Sequence, residues 1–147
     1  MYQRILVPID GSALSKKAVR SAVQLAASLG AELVAMHVVP RYPMSYFDGG
    51  IAVSRADVAR LEKQWSDRAQ ELVDDAKEYG SGRGVKVKGL VVQSSAIADA
   101  IVRVAAKQKC DLIAMASHGR KGIKRILLGS ETQQVLAQGS IPTLVLR

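Results

Sequence analysis

The chain has 147 residues, a length that predicts a single domain over residues 1–147. Hydrophobic residues make up 48% and charged residues 23%, which argues against a disordered chain, a collagen-like repeat and a disulfide scaffold. The net charge of +8 lies entirely in the C-terminal half, because residues 1–82 carry ten basic and ten acidic side chains and residues 83–147 carry eleven and three. Such an excess favours an anionic partner.

Short apolar runs alternate with amphipathic stretches in the first part of the chain. Residues 5–9 predict a buried strand, and the apolar spacing of residues 14–29 predicts a helix that ends at Gly30. Residues 32–39 predict the second strand. A long loop over residues 40–53 follows, and a loop of this length is often functional.

The alternation continues to the end of the chain. Two capping boxes, Ser54 with Asp57 and Ser130 with Gln133, predict the starts of the second and fourth helices. The predicted elements are a helix over 54–80, an edge strand over 85–92, a helix over 97–105, a strand over 111–116, a helix over 130–138 and a strand over 142–147.

Strands that alternate with helices predict an α/β fold with a parallel sheet covered by helices. Ligands of such sheets bind outside the carboxyl ends of the strands, where the strand order reverses. We therefore expect a functional site in the loops that follow strands, at residues 10–12, 38–50 and 117–130.

The loop over residues 117–130 has the chemistry of a phosphate site. It carries three glycines, which let backbone N–H groups approach a ligand, and it leads into a helix with Ser130 and Thr132 in its first turn. Alternatively, the glycines only shape a long connection and the four cations of the loop form a solvated face. Those cations are Arg120, Lys121, Lys124 and Arg125.

Several other features of the sequence argue against particular classes of protein. The segment 10–13 after the first strand is not the glycine-rich sequence of a P-loop NTPase. The two histidines, His37 and His118, lie on different elements without a cluster of metal ligands, so no zinc site is expected. Cys110 is the single cysteine and is interpreted as structural. With no signal peptide and no run of ~18 apolar residues, we expect a cytoplasmic protein that is not embedded in a membrane.

Four segments together resemble the universal stress protein family along the whole chain. They are Ile5-Leu6-Val7-Pro8-Ile9-Asp10-Gly11-Ser12, Met36-His37-Val38-Val39, Ser117-His118-Gly119 with nine residues before Gly129-Ser130, and Ile141-Pro142-Thr143-Leu144-Val145. The resemblance implies a five-stranded parallel sheet with four flanking helices, an open three-layer nucleotide-binding fold of the adenine nucleotide alpha hydrolase-like type. It also implies a homodimer, formed through the uncharged C-terminal strand 142–147.

The resemblance is to the ATP-binding branch of that family, although Ala116 stands where the branch pattern has its first glycine. It implies that Pro8, Asp10, Val38 and Met115 hold the adenosine of ATP or AMP, next to Ala116. It further implies that the phosphates are held by Gly119, Gly129, Ser130 and Thr132.

The residues by themselves leave other roles open. Asp10 needs hydrogen-bond partners at the end of a buried strand, and a ligand hydroxyl, a metal ion or the N–H groups of the next turn would each serve. It also fits as the cap of the next helix. Val38 and Met115 fit equally as core residues. The loop aromatics Tyr42, Tyr46 and Phe47 fit a lid over adenine, a subunit contact or a cover for the sheet edge.

Three hypotheses about the function follow from this sequence. The first is a regulatory homodimer that binds ATP or AMP in stress response, with no catalytic residues. The second is a slow ATPase or phosphotransferase that uses Asp10 and Mg²⁺. The third is a nucleic-acid binder that uses the basic C-terminal half, which is disfavoured because the aromatic residues that would stack on bases lie in the neutral half.

Overall fold

The computed structural model describes residues 1–41, 54–119 and 128–147. Within these residues five strands alternate with four helices, as the sequence predicts. The elements are β1 (Arg4–Pro8), α1 (Ala13–Leu29), β2 (Glu32–Val39), α2 (Arg55–Ser81), β3 (Val87–Gln93), α3 (Ile97–Lys107), β4 (Leu112–Ala116), α4 (Ser130–Gln138) and β5 (Thr143–Leu146).

The strands form one parallel sheet in the order β3-β2-β1-β4-β5, which confirms the predicted fold class. The chain builds the sheet outward from β1 to β3, returns to the other side of β1, and ends at β5. The strand order therefore reverses between β1 and β4. The prediction of an edge strand near residues 85–92 is also confirmed, since β3 lies at one edge and β5 at the other.

Alternating side chains of each strand face two separate cores, because successive residues of a strand point to opposite faces of a sheet. In β1, Ile5 and Val7 pack with α1 and α2, whereas Leu6 packs with α3 and α4. In β4, Leu112 joins the first core and Ile113 the second. The molecule is thus a three-layer sandwich with two helices on each face.

The predicted helix ends are mostly confirmed. Gly30 ends α1 in the left-handed conformation with φ of 67°. Ser54 caps α2 by accepting a 3.1 Å hydrogen bond from the N–H of Asp57, and its hydroxyl donates to the Asp57 carboxylate. The predicted end of α2 at Gly80 is wrong, because the helix continues to Ser81. A glycine at residue 80 lets α2 pack closely on β3, because a Cβ there would collide with the side chain of Val87.

The capping box predicted for α4 is wrong. Ser130 is the first helical residue, and Gly129 occupies the cap position with an extended backbone. The side chain of Gln133 donates a 2.9 Å hydrogen bond to the carbonyl of Leu128 instead of reaching the cap N–H. Consequently, no side chain in the described ranges caps the start of α4.

Polar side chains tie the strands together at the amino edge of the sheet. Asp111 accepts hydrogen bonds from the backbone N–H groups of Gln3 (2.8 Å) and Arg4 (3.0 Å). Glu32 lies between Lys86 and Arg4, and these two cations lower the pKa of its carboxyl below the ordinary value. These contacts join β1 to β2, β4 and the segment before β3 at one edge, whereas the carboxyl edge stays open.

No helix in residues 1–41, 54–119 and 128–147 combines the length and the apolar character that crossing a membrane requires.

Candidate functional site

A cavity of about 620 Å³ opens at the carboxyl edge of the sheet, where the strand order reverses. It exists because β1 and β4 diverge: their ladder has two residue pairs, Ile5 with Leu112 and Leu6 with Ile113, although both strands continue for two or three residues beyond them. The open sheet crevice is the place where parallel α/β proteins bind ligands.

All nine residues predicted for the site line this cavity. They come from the ends of three strands and from the start of α4, and they are Pro8, Asp10, Val38, Met115, Ala116, Gly119, Gly129, Ser130 and Thr132. The sequence reasoning missed Ile97 and Ile101 of α3, which form an apolar part of the lining. Ile97 is 39% exposed, and its helical spacing to Ile101 indicates a core face without showing that this face extends into a cavity.

The Asp10 side chain holds the turn between β1 and α1. Its Oδ1 accepts a 2.9 Å hydrogen bond from the N–H of Ser12, across Gly11 with φ of 82°. Ser12, rather than Asp10, caps α1 by accepting from the N–H of Ser15 at 3.1 Å. Of the roles left open for Asp10, the structure therefore supplies the turn N–H as one partner and assigns the helix cap to Ser12.

Gly119 lies directly against the Asp10 carboxylate. A Cβ at residue 119 would collide with Oδ2 of Asp10, so the glycine allows the Asp10 carboxylate to keep its present position. Its φ is not positive, unlike that of Gly11. The turn after β1 and the start of the loop after β4 thus meet across the cavity through these two residues.

The backbone of Val38 faces the cavity beyond the end of β1. The ladder between β1 and β2 ends at the Pro8 and Met36 pair, followed by one bond from the N–H of Ile9 to the carbonyl of Met36. Because backbone groups of a parallel strand alternate between its two neighbours, the N–H and C=O of Val38 point to the same side as those of Met36. They lie past the last bond to β1, at the edge of the cavity.

Hydrogen bonds bring the two ends of the loop after β4 together. The N–H of Gly129 donates to the carbonyl of Ser117 at 2.6 Å. The hydroxyl of Thr132 donates to the carbonyls of Ala116 (3.0 Å) and Ser117 (3.2 Å), and Thr132 is only 2% exposed. Since a hydroxyl has one hydrogen, Thr132 is engaged in positioning α4 against β4 rather than in donating to a phosphate.

Ala116 fits the site without backbone strain. It is the last residue of β4, and the non-glycine residue with positive φ in the described part of the chain is Lys109. An alanine in place of the family glycine therefore carries no left-handed cost here. What it adds to the cavity wall is a methyl group.

The first turn of α4 provides the polar end of the cavity. Its leading N–H groups have no partner within the helix, and a helix N-terminus attracts negative charge. Gly129 brings the backbone close to the preceding loop, since a Cβ there would lie 3.1 Å from Cα of His118. The Ser130 hydroxyl donates to the carboxylate of Glu131 at 3.0 Å.

The histidines and the cysteine take different positions relative to the site. His37 and His118 both line the cavity, where Nδ1 of His37 bonds to the carbonyl of Ile9 and Nδ1 of His118 to the Ser117 hydroxyl. In residues 1–41, 54–119 and 128–147, no group of three or more His, Cys, Asp and Glu side chains could hold a metal ion. Cys110 is buried in the core on the α3 and α4 face, and burial raises the pKa of its thiol to about 11.

Two groups of residues that the sequence reasoning singled out lie outside the described residues. One is the aromatic group Tyr42, Tyr46 and Phe47, and the other is the set of loop cations Arg120, Lys121, Lys124 and Arg125.

These features define a three-layer parallel α/β protein with a ligand cavity at the reversal of its strand order. The sequence model of the universal stress protein family matches residues 1–147. The universal stress protein MJ0531 of Methanocaldococcus jannaschii is 32% identical over 147 residues, which cover 100% of this chain and 83% of that protein. The chain belongs to the universal stress protein family, as its motifs indicate.

Two solved structures agree with this assignment. The structure of MJ0577, a universal stress protein of the same archaeon, superposes with a TM-score of 0.83 at 27% identity, covering 99% of this chain and 96% of that one. A universal stress protein in complex with cAMP superposes with a TM-score of 0.71 at 25% identity, covering 99% and 97%.

Proposed function

We propose that this protein binds an adenine nucleotide, ATP or AMP, in the cavity at the carboxyl edge of the sheet, and acts as a regulatory homodimer in stress response. The observation that carries the proposal is the layout of one cavity with two different ends. One end combines apolar side chains with the N–H and C=O groups of Val38, which lie past the last hydrogen bond to β1. The other end is the start of α4, which has no side-chain cap.

The apolar end suits an adenine ring. Met115, Ile97 and Ile101 provide apolar surface, and the Val38 backbone presents one donor and one acceptor next to it. Adenine carries a matching pair on its amino and ring nitrogen atoms, so paired backbone bonds would select it. A cavity of about 620 Å³ is within the range of pockets for ligands of this size.

The α4 end suits the phosphate groups. Backbone N–H groups at the start of α4 and the close approach allowed by Gly119 and Gly129 would together form an anion site. The Ser130 hydroxyl lies beside them and would contribute if it turned from Glu131, to which it donates in this structure. Asp10 also lines the cavity, and its carboxylate would accept from a ribose hydroxyl. The relative that was crystallised with cAMP holds a nucleotide on the same fold, which supports the proposal.

The edge strand β5 supports the proposed homodimer. It carries no charged residue within Thr143–Leu146, and Leu144 is 39% exposed. An uncharged edge strand with unpaired backbone groups favours pairing with a second copy.

Binding is tested by calorimetry with ATP, ADP and AMP on protein freed of any co-purified nucleotide, and we expect micromolar or tighter affinity. Gly129→Val should abolish nucleotide binding without unfolding the protein. Residue 129 is the cap position of α4, and a valine side chain there would crowd Cα of His118 and displace the start of the helix. Gly82→Val is the matched control, since residue 82 has φ of −62° and a Cβ there meets its nearest atom at 3.6 Å. Absence of heat with all three nucleotides would contradict the proposal.

The enzymatic alternative can be tested on the same nucleotide-free protein by measuring phosphate release from ATP. Asp10 places a carboxylate on the cavity, and Mg²⁺ is often bound by one or two carboxylates together with substrate phosphates. Sustained phosphate release from ATP with Mg²⁺ that disappears in Asp10→Asn would favour a slow ATPase or phosphotransferase over a regulatory binder.

A further inference from the structure

Glu131 places a negative charge at the phosphate end of the cavity. It is the second residue of α4, it is half-buried, and it lines the cavity together with Ser130 and Gln133. Among the lining residues that the structure describes, the acids are Asp10 and Glu131, and none is a lysine or an arginine. The described wall of the cavity is therefore acidic where an anion would bind.

The Glu131 carboxylate takes part in the same interactions that a phosphate would use. An acidic side chain in the first helical turn is attracted to the positive end of the helix dipole. The Ser130 hydroxyl donates to Oε2 of Glu131 at 3.0 Å, which directs this donor to the protein's own carboxylate. A phosphate group at the start of α4 would share its surroundings with that charge.

We propose that Glu131 determines the phosphate length that the site accepts, by repelling a triphosphate more strongly than a monophosphate. This inference rests on the proposed nucleotide binding and names its ligand class, nucleotides with a single phosphate group. Each further phosphate adds about one negative charge, and Coulomb repulsion from a fixed carboxylate grows with that charge. A monophosphate can keep its distance from Glu131, whereas a longer chain has more charge to place in the same space.

The test compares the parent protein with Glu131→Gln, which removes the charge and keeps the size of the side chain. Dissociation constants for AMP, ADP and ATP are measured by calorimetry in EDTA and again with Mg²⁺. In EDTA, we expect ATP to bind about three- to tenfold more tightly to the variant and AMP to change by less than about twofold. The gain for ATP should shrink in part in 0.5 M salt, because salt screens charges that contact solvent and Glu131 is half-buried.

Glu78→Gln is the matched control. Glu78 lies near the end of α2, a helix of the opposite face of the sheet, so the same change of charge there should alter no nucleotide affinity. The cations of the loop over residues 120–127 are present in all three proteins, so the comparison isolates the carboxylate at residue 131.

Three outcomes would overturn the proposal. Equal changes for AMP and ATP would show that Glu131 does not sense phosphate length. Weaker ATP binding by Glu131→Gln in Mg²⁺ would show that the carboxylate assists a metal-bound triphosphate instead of repelling it. Failure of the parent and the variant to bind any nucleotide would contradict the proposed function itself, a result distinct from binding with an unchanged preference.

Discussion

At the level of single residues, two glycines that line the cavity, Gly119 and Gly129, are explained by the neighbouring atoms that a side chain would meet and not by backbone conformation. Residue 11 has to be glycine because its φ is 82°, whereas neither Gly119 nor Gly129 has a positive φ. A side chain at residue 119 would meet the Asp10 carboxylate, and one at residue 129 would meet the backbone of His118. Because neither residue has a side chain, the backbone itself lines the cavity where the proposed ligand approaches.

Gly119→Ala is expected to weaken nucleotide binding about tenfold while the protein stays folded. The new methyl group would push the Asp10 carboxylate out of its place, and this side chain has room to rotate because it lines a cavity. Calorimetry gives the change in affinity, and thermal unfolding checks the fold. Gly82→Ala is the control, which should bind like the parent protein; equal binding by Gly119→Ala would argue against a role for the contact between residues 10 and 119.

At the scale of secondary-structure elements, the site depends on how α4 is joined to β4. Residues 117–119 leave β4 and residues 128–130 enter α4, yet the two ends are held together by bonds to the carbonyls of Ala116 and Ser117. Thr132 supplies two of these bonds from a buried position. The position of the helix start relative to the strand ends is therefore set by a threonine that the ligand itself need not touch.

Thr132→Val is expected to destabilise the protein by about 1–3 kcal/mol, because valine keeps the shape of threonine but leaves the carbonyl of Ala116 without this donor. The carbonyl of Ser117 still accepts from the N–H of Gly129. Nucleotide binding should weaken as well, since the side chain at residue 132 no longer ties the start of α4 to the strand. Chemical denaturation and calorimetry measure the two effects.

The control is Thr143→Val on β5, where the lost bond is to the carbonyl of Ile141 at 3.2 Å and lies away from the cavity. It should lower stability by no more than about 1 kcal/mol and leave binding unchanged. If the variants at residues 132 and 143 bind nucleotide alike, Thr132 has no special part in positioning the site.

At the scale of the whole molecule, the strand order decides both where the cavity opens and which strands are exposed at the edges. The reversal between β1 and β4 creates the crevice, and it also leaves β3 and β5 with one unpaired side each within the single chain. β3 has Lys88 on its length, a charge that discourages pairing at an edge. β5 has no such charge, so it is the edge at which we expect a second copy to pair.

Leu144→Glu is expected to convert the proposed dimer into a monomer. The substitution places a charge on the exposed side of β5, where two copies would repel each other. Sedimentation velocity gives the oligomeric state. Leu29→Glu at the end of α1 is the control, since Leu29 is exposed to a similar extent (38%) but lies on a helix. A parent protein that sediments as a monomer, or a Leu144→Glu variant that remains dimeric, would contradict pairing through β5.

The α/β class, the order of the elements and the residues at the strand ends could be predicted from the sequence, because they follow from local periodicity, turn residues and motif spacing. The second strand, Glu32–Val39, matches its prediction, and Gly30 ends α1 as its place in the pattern predicts. The hydrogen-bond partners of those residues became known from the packed fold. Ser12 caps α1 where Asp10 was considered, Gly129 replaces Ser130 as the cap position of α4, and Thr132 bonds to backbone carbonyls.

The physical reason is that a hydroxyl or carboxylate has several partners of similar energy available in sequence, and packing selects among them. Ile97 and Ile101 illustrate the same limit, since an apolar helical spacing is the same whether the face meets a core or a cavity. The divergence of β1 from β4 after two residue pairs involves segments more than a hundred residues apart. No local pattern encodes that separation, and it is the separation that makes the site.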